Sequence, residues 1–149
     1  MVRTTKMRLF PVCLGLVLAL TAVPAAFACS CAPPPPPQEA RDQAAAVLAG
    51  KILEITTETQ PGLPVGRRTV RLQVEKIWKG AACGEMTVTT GLGDADCGYG
   101  FEVGKSYLIY AFQENGGLAT NICTRTAPLD QAAEDLAALG APAQDCGQP

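Results

Sequence analysis

The sequence contains no histidine among its 149 residues. This excludes the Ser-His-Asp triad, the Cys-His pair and zinc sites with imidazole ligands. Serine is almost missing as well: Ser30 and Ser106 are the whole supply. No pair of carboxylates has an anchoring context, so no arrangement looks catalytic and the expectation is that the protein is not an enzyme. Basic residues are outnumbered 12 to 14 and form no long run. That argues against a nucleic-acid partner. Beyond residue 28 there is no apolar stretch long enough to span a membrane.

What is there begins with a leader. Arg3, Lys6 and Arg8 make a basic start, and the apolar stretch Leu9 to Leu20 follows. Ala26-Phe27-Ala28 then places small residues at −3 and −1 of a cleavage site. Residues 1–28 are therefore read as a secretory signal peptide, and 29–149 as one domain exported to the cell exterior or a periplasm. The leader takes three of the 12 basic residues and none of the 14 acidic ones, leaving nine against 14 and a net charge of −5.

Of the seven cysteines, Cys13 falls in the leader. Cys29, Cys31, Cys83, Cys97, Cys123 and Cys146 remain. An even number in a small exported chain reads as three disulfides, and six cysteines allow 15 pairings that sequence alone does not choose between. Cys29-x-Cys31 is too tight for the usual Cys-x2-Cys zinc knuckle, and no cofactor is expected.

Five consecutive prolines, Pro33 to Pro37, predict a stiff polyproline II rod at the start of the domain, a fixed projecting edge. Gln38 to Ala44 reads as a short helix. Ala45 to Thr57 reads as a long strand with a bend or bulge at Gly50. Thr69 to Trp78 has the clearest period of two, with Val70, Leu72 and Val74 opposite Arg71, Gln73 and Glu75. Glu85 to Thr90, Lys105 to Phe112 and Leu118 to Cys123 read as further strands, with Asn115-Gly116-Gly117 as a hairpin turn. Leu129 to Leu139 reads as a helix with Asp130 near its start as cap and Gly140 as its stop. The expected fold is mainly β: a five-stranded Greek-key barrel of the OB type with one or two short helices, stapled by disulfides, or else a two-sheet sandwich.

Several motifs tempt. Gly100 to Ser106 mimics a phosphate loop, but one residue is missing between the glycines and a strand follows where a helix is needed. Asp94 and Asp96 could grip calcium, yet two carboxylates fall short of a shell of six to eight oxygens. Trp78 ends a strand and reads as core or barrel cap. Arg67, Arg68 and Arg71 make a basic cluster too small for a nucleic-acid patch.

The most informative chemistry lies at Cys29. Cleavage after Ala28 would free its α-amine, whose reference pKa of about 7.7–8.0 leaves a useful neutral fraction near pH 7. That nitrogen and the carbonyl oxygen of the same residue can close a five-membered chelate on a zinc with an open position. A frayed terminus would chelate weakly, but disulfides at Cys29 and Cys31 would meet the ordering cost at folding. Ser30 would point outward between them. The plainer reading is that the two cysteines only staple the terminus.

These residues resemble a known family. Cys29-Ser30-Cys31-Ala32-Pro33-Pro34 after a cleavage site resembles the start of the tissue inhibitors of metalloproteinases. Ile77-Trp78-Lys79-Gly80, Cys97-Gly98-Tyr99, Tyr107-Leu108-Ile109 and Asn121-Ile122-Cys123 are similar to later segments of that family, in the same order. The resemblance implies a netrin-like module of OB type in a single-domain form, with pairs Cys29–Cys97 and Cys31–Cys123. It leaves Cys83 to pair with Cys146. It implies a monomeric partner of zinc metalloproteases. In it Cys29 grips the protease zinc through backbone N and O, Ser30 enters the primed-side pocket, and Ala32 and Pro33 line the cleft beside it, with Cys31 among the inhibitory residues. The chain departs from the family in having Arg41 and Asp42 where a cysteine normally sits in the first helix, and Ser30 in place of threonine. Two other readings stand beside inhibition: a non-inhibitory netrin-like binding module of the cell envelope, and a lipid-anchored envelope protein acylated at Cys29. The second lacks a good lipobox at Ala26 and Phe27.

Overall fold

The computed structural model describes residues 29–59, 61, 66–93 and 96–147. The expected leader and Asp94 lie outside these residues. Helix α1 (Pro37–Gln43) comes first, and the last of the five prolines is its buried first residue. Proline fits there because a first-turn amide has no intrahelical acceptor and the ring presets a helical φ. The rod expected over five prolines therefore ends at Pro36, where φ is −52° and ψ 153°.

Strands β1 (Ala46–Thr59) and β2 (Gly66–Lys79) form a long antiparallel hairpin. One of its register shifts falls between Ala49 and Gly50, where the sequence predicts a bend. β1 also pairs with β4 (Ser106–Glu114) from Ala46 to Lys51, so it is flanked by strands on both sides there. Beyond Ile52 it pairs with β2 alone and most of its side chains are exposed, Leu53 and Ile55 staying half-buried. β3 (Gly84–Thr90) lies antiparallel to β2. β5 (Gly117–Ala119) lies antiparallel to β4 and touches β3 through one parallel pair, Thr89 with Ala119. The order β1-β2-β3-β5-β4 thus returns to β1, closing five strands into a ring within one sheet. That is the expected OB-type order, not a two-sheet sandwich. Two short strands, β6 (Ala127–Pro128) and β7 (Gln144–Asp145), pair with β4 and β2 respectively.

The alternation in β2 carries into packing. Val70, Leu72 and Val74 are buried inside the ring with Leu48, Ile52, Val88 and Ile109, while Gln73 is exposed. Tyr99, Phe101 and Tyr107 pack against that core, with centroids 4.7 to 5.9 Å apart. A second cluster outside the ring sets Val47, Leu108 and Tyr110 against Ala40 of α1 and Leu139 of α2 (Ala133–Leu139).

Trp78, Lys79 and Gly80 join the layers. The Trp78 indole donates to the Gly140 carbonyl at 2.9 Å, at the end of α2, and Trp78 is half-buried against the cluster outside the ring rather than in its core or over its end. The Lys79 ammonium donates to the Arg41 and Asp42 carbonyls at 3.1 and 2.8 Å, satisfying the end of α1. Gly80 has φ 62°, and any Cβ there would collide with the Ala45 carbonyl oxygen. The fold thus demands glycine twice over.

Two further expectations need correction. The fifth strand, expected to reach Cys123, stops at Ala119. The Thr120 hydroxyl turns inward to the Tyr110 carbonyl at 2.9 Å, and the Asn121 side chain accepts from the Cys123 amide at 2.9 Å, which curls the chain into a turn. The helix expected from Leu129 is a 3-10 turn (Leu129–Gln131) followed by α2, and Asp130 makes no side-chain cap. The pairing of Ala127 and Pro128 with β4 holds the entry to that turn.

Candidate functional site

The edge begins at Cys29, which is half-buried, and continues through Ser30, Cys31, Ala32, Pro33 and Pro34, all exposed. It has no helix or strand of its own; what fixes it is covalent. Cys29 is bridged to Cys97 and Cys31 to Cys123, with Cα separations of 5.4 and 5.2 Å, ordinary for cystines. Cys83 is bridged to Cys146 at the other end of β3. The Sγ atoms of Cys29, Cys97 and Cys123 lie within 4.8 Å of one another, so the two N-terminal cystines stand side by side. Every one of those sulfurs is in a disulfide, so the cluster offers no thiolate to a metal.

The loop that receives Cys29 is built around a residue whose role sequence reasoning missed. The Asp96 carboxylate accepts from the amides of Leu92 at 2.9 Å, Gly93 at 2.9 Å and Gly98 at 3.3 Å. Burial works against its charge, but these amide hydrogen bonds outweigh it and hold the carboxyl below its usual range. Asp96 is therefore a staple of the loop, its oxygens accepting from backbone amides. Cys97 follows with φ 56°, an uncommon conformation for a side-chain-bearing residue that this cage and the cystine impose. Gly98 packs on the backbone of Gly91, where a Cβ would not fit. The available signal was an Asp among glycines, the composition of a turn whose side chain caps amides.

The turn that receives Cys31 leads into a charged network. Arg125 grips Asp135 with Nε to Oδ1 at 2.7 Å and Nη2 to Oδ2 at 2.8 Å, and the Tyr110 hydroxyl donates to the same Oδ1 at 2.7 Å. Burial opposes the charge on Asp135, yet the hydrogen bonds from Arg125 and Tyr110 prevail and depress its pKa. Burial, with the Asp135 acceptor, pushes the Tyr110 phenol well up. A cleft of about 250 Å³ lies beside the rod, lined by Pro34, Pro35, Ala40, Tyr110, Thr124 and Arg125 among others. Of the basic cluster, Arg67 pairs with Glu114 at 3.2 Å, and Arg71 with Glu54 at 2.9 Å and Glu85 at 2.7 Å.

A ring of strands carrying a doubly cross-linked, outward-facing cysteine segment defines a disulfide-stapled β module that presents one fixed edge. The family model for tissue inhibitor of metalloproteinase matches residues 27–136, and the chain belongs to that family. Its members are inhibitors, not enzymes. Comparison with curated proteins gave no match. Among the described residues no helix is long and apolar enough to cross a membrane.

Proposed function

We propose that this protein is a secreted inhibitor of zinc metalloendopeptidases that acts through a free Cys29 terminus. Removal of the leader after Ala28 exposes the α-amine. The amine nitrogen and the Cys29 carbonyl oxygen then close a chelate on the protease zinc, in the position water otherwise takes. Ser30 enters the adjoining pocket, while Cys31, Ala32 and Pro33 run along the cleft. The zinc belongs to the target; the inhibitor needs no cofactor and works outside the cell or in a periplasm.

One observation carries this reading. Residues 29 and 31 are each bolted to a different turn of the ring, and Ser30 stands exposed between them. A segment held so loses little freedom on binding, whereas a free terminus gives up about 1–2 kcal/mol per ordered residue.

The test is the mass and N-terminal sequence of the exported protein, followed by inhibition assays with and without one added N-terminal alanine. The added residue is expected to abolish inhibition and leave the fold intact. Equal inhibition by the extended protein would overturn the chelate. A protein that starts at Cys29 with a free amine and inhibits no zinc protease would be a binding module instead, and an acylated Cys29 would make it a lipid-anchored one.

A further inference from the structure

The N-terminal segment is held at a third point besides its two cystines, and we infer that Arg125 is a positioning residue for inhibition, acting through the carbonyl of Pro35. This rests on reading Cys29 to Pro33 as the inhibitory edge. Arg125 Nη1 donates to the Pro35 carbonyl at 3.3 Å, across 90 positions of sequence. A run of prolines has no amide hydrogens, so carbonyls are the only backbone handles on the rod and the donor must come from elsewhere. Arg125 supplies it because its guanidinium cannot turn away. Nε and Nη2 are locked on the two oxygens of Asp135, and Asp135 is itself pinned by the Tyr110 hydroxyl. The side chains of Arg125 and Asp135 are 16% and 11% exposed, so water competes little for the fork.

The placement gives the contact its consequence. Arg125 lies two residues past Cys123, so one turn carries both the bridge to Cys31 and the hold on Pro35. Ala32 and Pro33 are thereby spanned at both ends, and a stiff polyproline stretch transmits the hold at Pro35 to them. A lysine at 125 would keep a positive charge facing Asp135. It lacks the planar fork that spans two carboxylate oxygens and leaves a nitrogen aimed at the rod.

The test is Arg125→Lys, with Asp135→Glu as a second variant if the first does not form its three cystines. Two quantities are read in the cleaved protein: the inhibition constant for a zinc endopeptidase that the wild type inhibits, and the NMR α-proton shifts of Pro33, Pro34 and Pro35. The inference expects shifted proline signals and inhibition weaker by about 10-fold or more, mainly through faster dissociation. Inhibition within twofold of wild type overturns it, whether or not the proline signals move. If the wild type inhibits no zinc endopeptidase, the inhibitor reading has failed on its own account. The proline signals then decide the clamp alone: moved signals support it and unmoved ones overturn it.

Discussion

The Ile122 amide donates to the Cys97 carbonyl at 3.0 Å. The turn after β3 and the turn after β5 are therefore joined directly, besides being joined through the N-terminal segment bridged to each. Whatever loosens one turn loosens the seat of the other cystine.

The three cystines should separate stability from function. Replacing Cys83 and Cys146 with alanine, or Cys31 and Cys123, opens loops of 63 and 92 residues. On loop-closure entropy each loss costs about 4–5 kcal/mol. Measured below the melting midpoint of each variant, the Cys83–Cys146 variant is expected to keep its inhibition, because that bridge lies at the far end of β3. The Cys31–Cys123 variant is expected to lose it. Equal loss in both would show that stability alone governs the edge.

Asp96→Ala removes the acceptor for three backbone amides and should cost about 1–3 kcal/mol. The loss should be local. Amide hydrogen exchange is expected to rise at Leu92, Gly93 and Gly98 before it rises in the ring strands, and inhibition should weaken because Cys97 loses its fixed conformation. Unchanged exchange at those three amides would contradict the role of the cage.

Gly80→Ala tests the junction of layers. A left-handed conformation costs an L-residue about 1–2 kcal/mol, and the collision with the Ala45 carbonyl adds to that. Thermal unfolding should report a loss of about 2 kcal/mol or more. Inhibition measured well below the midpoint should be nearly unchanged, since the site is not touched.

Acid should unfold the protein through Asp96 and Asp135. Both carboxyls are held below their unfolded value. In acid the unfolded chain then binds more protons than the folded one, so stability rises with pH there. Their contribution is complete above about pH 4–5 and is lost as pH falls through the depressed folded values. The melting temperature of the wild type should drop between pH 5 and pH 2, and Asp96→Asn or Asp135→Asn should flatten that drop. A wild-type profile no steeper than those of the variants would contradict the depressed values.

The sequence makes the ring largely legible because its signals are local. The alternation of Val70, Leu72 and Val74 becomes buried against exposed, and Gly50 marks a real shift of register. One misreading arises where a side chain competes with the ladder. Leu118 to Cys123 has a strand's composition, but Thr120 and Asn121 spend their side chains on backbone groups and end β5 early. Pro37 looks like one more residue of the rod and is the first of a helix. At the candidate site, chemistry and resemblance nominate Cys29 to Pro33. They could not nominate Arg125, because Pro35 lies 90 positions away and only the folded chain brings the guanidinium to it. The Asp96 cage is local, to Leu92, Gly93 and Gly98, and its signal was there in an Asp among glycines.

The single parallel pair, Thr89 with Ala119, is the thinnest part of the ring. Beyond it the gap is crossed by the leading segment, which is fastened to Cys97 on one bank and to Cys123 on the other. The part that would meet a protease is thus also the lacing that keeps the ring from splitting open between β3 and β5. Strain applied to that segment by a bound target would be felt first as tension across the seam.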